Sequence, residues 1–275
     1  QIVPKVKQQS DKNDFVVEKL RFTQDYIPRN SSLVFPLPNL PDPDTFRDFF
    51  LNFSYLGSFD LSCGFFHGRV KEESRDLLAY WAPQGIMRPT RCPMGTSPAP
   101  GWFQSAMEHP SNFGSMHCYG RTCKAYMDDL PHGGKTWDEY LRTVCEIVDA
   151  AIACGARFAP DKARFGFYEL PLIGQVVGRQ GKKIPLSKSE PIINIQRSSF
   201  VDQTSVRVYL GMVNYLNKYI ENLATILSPL HRLVGNVPFL FDDQCWAAVQ
   251  KISRIMIKGP VLCAPNWDWP FIIKT

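Results

Sequence analysis

No stretch of this sequence is apolar for long enough to cross a membrane as a helix. Its first residues, Gln1-Ile2-Val3-Pro4-Lys5, lack both an initiator methionine and the apolar core of a secretory leader. The expectation is an intracellular protein, in a cytoplasmic particle or the nucleus, excised or processed from something longer. The eight cysteines include no Cys-x-x-Cys pair, which argues against a disulfide framework and for reduced thiols. His117, Cys118 and Cys123 fall close together, but no fourth ligand stands at zinc spacing. They read as two small buried residues beside a surface histidine. Internal repeats and low-complexity tracts are missing too. What is present is a chain of 275 residues, 44% hydrophobic and 21% charged. That is a globular composition, long enough for two or three subdomains around a sizeable core. The net charge of +5 is compatible with a nucleic-acid partner without establishing one.

Prolines divide the chain. The run Phe35-Pro36-Leu37-Pro38-Asn39-Leu40-Pro41-Asp42-Pro43 can be neither helix nor central strand. Ahead of it, residues 1–19 form a basic edge with Lys5, Lys7, Lys12 and Lys19. Beyond it, the spacing predicts a helix from Asp44 to Asn52 and a strand with its end over Phe59–Phe66. A helix over Trp102–Met107 and a hairpin over Arg121–Leu130 come next. Thr136 with Glu139 makes a capping box. Trp137, Tyr140, Leu141, Val144, Ile147, Val148, Ala151 and Ile152 then repeat at helical spacing up to a stop at Gly155. Short strands around Phe165–Tyr168 and Leu172–Val177 precede a basic turn, Arg179–Lys183. Three more helices are expected over Thr204–Ile220, Ile226–Leu233 and Trp246–Ile257. Strands and helices alternate about a central hairpin, so the class is α+β.

The chemistry is concentrated in acids. Asp128 and Asp129 are adjacent, with Ala125-Tyr126-Met127 before them and Leu130-Pro131 after. An Asp-Asp pair alone reads as a solvated turn. Apolar, strand-like flanks instead put it at a hairpin tip on a core, where like charges repel and a divalent cation relieves the cost. Asp60 closes another apolar run, Ser54-Tyr55-Leu56-Gly57-Ser58-Phe59, and is the third candidate ligand. Carboxylates from two strands that meet can hold a pair of Mg²⁺ ions.

Five blocks in order resemble the motifs of reverse transcriptases. Phe59-Asp60-Leu61-Ser62-Cys63-Gly64-Phe65-Phe66-His67 is similar to their first catalytic motif, and Arg91 to Gln104 to the second conserved block. Tyr126-Met127-Asp128-Asp129 resembles the catalytic hairpin. Ala159-Pro160-Asp161-Lys162 and Leu172-Ile173-Gly174-Gln175-Val176-Val177 resemble the two blocks beyond it. Downstream, Tyr209-Leu210-Gly211-Met212-Val213-Asn214-Tyr215 and Ser228-Pro229-Leu230 are similar to the thumb of gypsy-type LTR retrotransposon and retroviral enzymes. Gly259-Pro260-Val261-Leu262 through Pro270-Phe271-Ile272-Ile273 resembles the segment leading into their RNase H domain. Each motif alone is weak; the ordered set is specific.

The resemblance implies a right-hand fold whose antiparallel palm sheet is backed by helices. Fingers would span 1–36 and 68–98, palm 37–67 and 99–180, thumb 181–235, and a connection segment 236–275. It implies extension of a primer with dNTPs on an RNA or DNA template, using two Mg²⁺ ions with Mn²⁺ able to substitute. Asp60, Asp128 and the carbonyl of Leu61 would hold the metals, with Asp129 shaping the site's charge. Lys162 is either the proton donor to pyrophosphate or an ordinary surface lysine after a turn. Arg21, Ser62, Cys63, Gly64, Phe65, Met94, Gly95 and Gln104 would meet the nucleotide. Arg21 would clamp the triphosphate, and Phe65 would be the ring that excludes a ribose 2′-hydroxyl. Phe65 could equally be core packing. Tyr126, Met127, Gly174, Gln175, Gly211 and Tyr215 would meet primer and template; Tyr215 is either a groove contact or part of its helix's core. RNase H and integrase domains of one polyprotein would be its partners, and an oligomer is left open. RNase H activity is not expected of this chain, which stops at Thr275.

The chain departs from the family at Ile27, where many relatives have Arg, at Pro98, where gypsy-type enzymes carry Asn, and at His67, which replaces Gln. Met127 is the retroviral choice. Two other classes share parts of this pattern. RNA-dependent RNA polymerases also use paired acids on a hairpin, and Phe65 argues against that reading. A domesticated, inactive nucleic-acid-binding protein is countered by the intact acid set.

Overall fold

The computed structural model describes residues 2–10, 16–33, 40–235, 237–263 and 270, with 2–10 and 16–23 as backbone only. In chain order the elements are β1 (Ile2–Ser10), β2 (Val16–Gln24), α1 (Ile27–Asn30), α2 (Pro43–Phe49), β3 (Tyr55–Asp60), β4 (Tyr80–Ala82) and β5 (Gly85–Met87). There follow α3 (Ala99–Glu108), β6 (Asp129–Gly134), α4 (Trp137–Cys154), β7 (Arg164–Phe167), β8 (Glu169–Leu172), β9 (Gln175–Gly178) and β10 (Gly181–Lys183). The chain closes with α5 (Leu186–Ile193), α6 (Gln203–Asn214), α7 (Leu223–His231), α8 (Asp243–Ile257) and β11 (Val261–Leu262). Two compact units result. One joins Gln1–Asp42 to Tyr55–Phe167, the other Pro43–Ser54 to Tyr168–Thr275.

In the first unit β3 runs between β6 and β7, antiparallel to both. Phe59 near its end faces a core with Phe103, Met107, Leu130 and Ile147, and Leu56 is buried too. Helix α4 packs on β6, and Gly134 permits it: a Cβ there would come 2.5 Å from the Tyr140 backbone nitrogen. Local signals start and stop this helix. Thr136 Oγ accepts from the Glu139 N–H at 3.2 Å, and Gly155 closes it at φ +71°. The Glu139 carboxylate accepts from the Lys135 N–H, one residue ahead of the position a capping box uses. The buried stripe is narrower than expected. Tyr140, Thr143, Ile147 and Ala151 are inside, while Val148 and Ile152 are exposed.

Between β3 and α4 lies a buried polar relay. The Gly166 N–H donates to Tyr140 Oη (2.9 Å), which lies 3.4 Å from His132 Nε2, and His132 Nδ1 donates to the Leu130 carbonyl (3.1 Å). Burial holds His132 neutral, lowering its pKa from 6.5 to about 4. Between these values the unfolded chain binds the proton first. Stability is therefore complete above pH 6.5 and falls as pH drops toward 4, by about 3 kcal/mol in all. Denaturant titrations at pH 7 and pH 4.5 are expected to show this loss in the wild type and a smaller one in His132→Gln; equal losses would contradict it.

The second unit pairs β11-β10-β9-β8 as an antiparallel sheet. Its helices bury Val206, Tyr209, Val213, Leu230, Val249 and Ile252 together. Several expectations are corrected here and at the end of β3. The strand expected over 59–66 ends at Asp60, and Gly64–His67 is a 3₁₀ turn entered through Cys63 at φ +55°. The strand expected over 172–177 is broken by a tight turn, Ile173-Gly174, with φ +43° and +75°. The basic turn expected over 179–183 is partly strand. Gly181–Lys183 is β10, and Lys182 is buried against Asp48 at 2.6 Å. Helix α6 stops at Asn214 instead of reaching 220, and its start is an Asp202–Ser205 capping box. Residues 2–10 and 16–24 pair as strands, while Lys12 and residues 34–39 of the proline connector lie outside the described residues, as do 271–275. Among the described residues no helix is long and apolar enough to cross a membrane.

Candidate active site

The acids meet where β3 ends and β6 begins. Asp60 and Asp129 are register partners, and the Leu61 N–H donates to the Asp128 carbonyl at 2.9 Å. Tyr126 and Asp129 exchange backbone hydrogen bonds of 2.9 and 3.1 Å, leaving Met127 and Asp128 at the corner of a two-residue hairpin. Met127 takes φ +52° there, a conformation costing a non-glycine residue on the order of 1–3 kcal/mol.

Gln104 holds that corner. Its Oε1 accepts from the Met127 N–H (2.8 Å), and its Nε2 donates to the Ala125 carbonyl (2.9 Å) and to Glu108 (2.8 Å). The side chain is 1% exposed. Gln104 was expected at the nucleotide; its polar atoms instead clamp the backbone of the hairpin. Gly64 serves the same corner from the other side. A Cβ on it would stand 2.8 Å from the Phe103 ring and 3.4 Å from Asp128 Cβ.

Burial, followed by the charges of Asp128 and Asp60, raises the Asp129 carboxyl to a pKa of about 6, against the pull of Lys162 and Arg164. Lys162 Nζ donates to both oxygens of Asp60, at 2.8 and 2.9 Å, and its own pKa is raised by that bond. Segment 157–159 is tied to the end of β3 through Ser62 N–H to the Arg157 carbonyl (2.8 Å) and Ala159 N–H to the Asp60 carbonyl (2.9 Å). The expected metal residues therefore share one corner. Among the described residues no three His, Cys, Asp or Glu side chains are already arranged as a metal cage. The donor set nonetheless fits Mg²⁺: hard oxygens, mutually repelling, with one carboxylate neutralised by a lysine.

Phe65 is half-buried and packs against Phe103, ring centres 5.3 Å apart, while Phe66 is exposed. Cys63 is exposed and Ser62 half-buried; His67 Nε2 donates to the Ser62 carbonyl at 3.1 Å. Met94 and Gly95 sit in a loop fixed by Asn30, which the sequence did not single out. Asn30 Nδ2 donates to the Gly95 carbonyl (3.0 Å), and its Oδ1 accepts from the Ser97 N–H (2.9 Å). Arg21 lies in β2 opposite Lys5; its side chain is outside the described residues. Ile27 is 77% exposed. Cys118 and Cys123 are buried, and Arg121 donates to His117 Nε2 at 2.7 Å.

The remaining expected residues belong to the second unit. Gly174 and Gln175 flank the turn from β8 to β9, whose Ile173 carbonyl accepts from buried Arg47 at 2.8 Å. Arg47 is held in turn by Asp44 at 2.7 Å, and Lys182 and Lys218 also reach that carboxylate. Gln175 Oε1 is buried and has no hydrogen-bond partner among the described residues. Tyr215, 60% exposed, lies outside the helix core. Gly211 is exposed and open, with nothing near the place of a Cβ.

A strand-end aspartate paired with a strained Asp-Asp corner, in an antiparallel sheet backed by helices, points to the class: a right-hand polymerase fold. The family model described as "Reverse transcriptase (RNA-dependent DNA polymerase)" matches residues 18–214, and the chain belongs to that family. It is 26% identical over 256 residues to the enzymatic polyprotein of Cauliflower mosaic virus (strain NY8153), covering 93% of this chain and 37% of that polyprotein. It is 28% identical over 268 residues to the retrovirus-related Pol polyprotein from transposon 412 of Drosophila melanogaster, covering 94% of this chain and 20% of that one. The chain thus spans between a fifth and little more than a third of these relatives. Among solved structures it is similar to the foamy viral protease-reverse transcriptase in complex with double-stranded DNA. The TM-score is 0.78 at 18% identity, covering 90% of this chain and 43% of that one. The same viral protein in complex with an RNA/DNA hybrid gives a TM-score of 0.71 at 16% identity, covering 94% of this chain and 34% of that one.

Proposed function

We propose that the chain extends a primer with dNTPs on an RNA or DNA template. The observation that carries this is the register of Asp60 against Asp129 with Asp128 on the adjoining corner. The solved relatives hold double-stranded DNA and an RNA/DNA hybrid, the duplexes such a reaction makes. Asp60, Asp128 and the Leu61 carbonyl would hold two Mg²⁺ ions, which when bound would activate the primer 3′-hydroxyl and neutralise the leaving pyrophosphate. Asp129 sets the charge of the corner, and Gln104 and Gly64 fix its backbone. Lys162, whose ammonium is bonded to Asp60, would deliver a proton to the leaving group. Arg21, Ser62, Cys63, Met94 and Gly95 are assigned to the nucleotide, and Tyr126 and Met127 to the primer end. Gly174, Gln175, Gly211 and Tyr215 are assigned to the duplex. In this reading fingers, palm and thumb keep the boundaries expected from sequence.

Phe65 separates this reaction from RNA synthesis. Its ring, braced on Phe103, would lie where a ribose 2′-hydroxyl must go. Mg²⁺-dependent extension with dNTPs is expected from the wild type. Phe65→Ala is expected to raise ribonucleotide use relative to deoxynucleotide use by at least about tenfold, roughly 1.4 kcal/mol. Free use of ribonucleotides by the wild type would favour an RNA polymerase. Binding of primer–template without any extension would favour an inactive binding protein.

A further inference from the structure

Three elements of the second unit converge on one ammonium. Lys188 of α5 donates from Nζ to Tyr215 Oη at 2.7 Å, and Nζ stands 4.3 Å from the centre of the Tyr215 ring. The turn between β8 and β9 closes the third side. A Cβ on Gly174 would lie 2.8 Å from Nζ and 3.3 Å from Tyr215 Oη, so only glycine leaves the ammonium its place. The spacing of these residues in sequence gives no hint of this meeting, since they are 14 and 27 residues from Lys188 (188 − 174 and 215 − 188).

The charge at this point is uncompensated. Three other lysines of the unit are neutralised: Lys182 by Asp48, Lys183 by Glu169 and Lys218 by Asp44. Among the described residues no carboxylate pairs with Lys188. Its partners among the described residues are a phenol and a π face, both of which leave an ammonium able to take an anion. The surface beside it is a glycine turn without side chain and a tyrosine that is 60% exposed. A single cation, a bare backbone and an aromatic edge suit one phosphodiester and its sugar. A triphosphate would call for several donors.

We propose that Lys188 contacts a backbone phosphate of the bound primer–template duplex, with Tyr215 lying along the adjoining sugar. The assignment rests on the polymerase reading. On binding, the ammonium exchanges a hydrogen bond to an uncharged phenol for an ion pair with a phosphate and displaces a counterion from the duplex.

The test is the salt dependence of binding to a labelled RNA–DNA hybrid with a recessed 3′ end, between about 50 and 200 mM KCl. Lys188→Gln is expected to reduce the slope of log K against log salt by about 1, at unchanged melting temperature. Lys188→Arg keeps the charge and is expected to keep the slope. Tyr215→Phe removes the phenol and is expected to keep the slope as well. An unchanged slope in Lys188→Gln overturns the assignment and leaves the polymerase reading standing. So does a slope lowered equally in Lys188→Arg, which would mean that charge is not what matters. A wild type that does not bind the hybrid overturns both.

Discussion

Asp128→Asn is expected to abolish primer extension, by at least about 10³-fold, roughly 4 kcal/mol of transition-state stabilisation, while leaving the fold and duplex binding intact. The geometry isolates the charge. Asparagine has nearly the same shape as aspartate, and the backbone bonds that make the corner do not involve this side chain. Leu61 donates to the Asp128 main-chain carbonyl, and Gln104 clamps the backbone of Met127 and Ala125. What is lost is one of the negative oxygens that would hold a divalent cation at the corner. Losing it also removes the like-charge neighbour that contributes to the raised pKa of Asp129. The measurement is single-turnover extension of a labelled primer in Mg²⁺, beside a melting curve and a hybrid-binding curve. Extension within tenfold of the wild type at normal melting temperature would remove Asp128 from the chemistry.

How far this site was legible follows from the range of the contacts that build it. The acid corner announced itself because two adjacent carboxylates between apolar runs are a local anomaly, and Asp60 closes a run of its own. Helix α4 was legible for the same reason: Thr136 and Gly155 act within one turn of the residues they cap. Roles exercised at a distance stayed hidden. Gln104 reaches backbone groups 21 and 23 residues away, and Asn30 reaches a loop 65 and 67 residues on. A composition signal misled in two places. Pro191 lies inside α5 and masked it, and the apolar stripe of α6 continues through Leu216 and Ile220 although the helix stops at Asn214. Those residues stay buried on either side of the following 3₁₀ turn, so burial persists where α-helical geometry does not. Gly174 was singled out by resemblance, but not for its neighbour. Its lack of a side chain makes room for Lys188, and nothing in a one-dimensional pattern relates the two.

Gly57→Ala is expected to be a severely damaging single-methyl change in the first unit. Gly57 lies inside β3, the central strand, opposite His132 of β6. Glycine in a strand interior ordinarily weakens it, so its presence marks a close approach. Here a Cβ would fall against Tyr140 Oη, 2.5 Å from His132 Nε2 and 2.7 Å from the Arg164 carbonyl. None of the three can yield cheaply. Tyr140 Oη accepts from the Gly166 N–H and faces His132, the imidazole is wholly buried, and the Arg164 carbonyl belongs to the neighbouring strand. Making room means parting β7 from β3 or breaking the relay and leaving a buried polar group unpaired. Overpacking and an unsatisfied group together cost about 3–5 kcal/mol, a large share of a typical total of 5–15 kcal/mol. The melting temperature should fall by roughly 6–20 °C on the scale of about 2–4 °C per kcal/mol. Tyr140→Phe removes the hydroxyl nearest the new methyl. The double variant is therefore expected to melt above the sum of the two single losses, a coupling that general weakening of the sheet would not produce. A Gly57→Ala protein melting within a degree or two of the wild type would mean that β3 and the relay have slack that these distances do not contain.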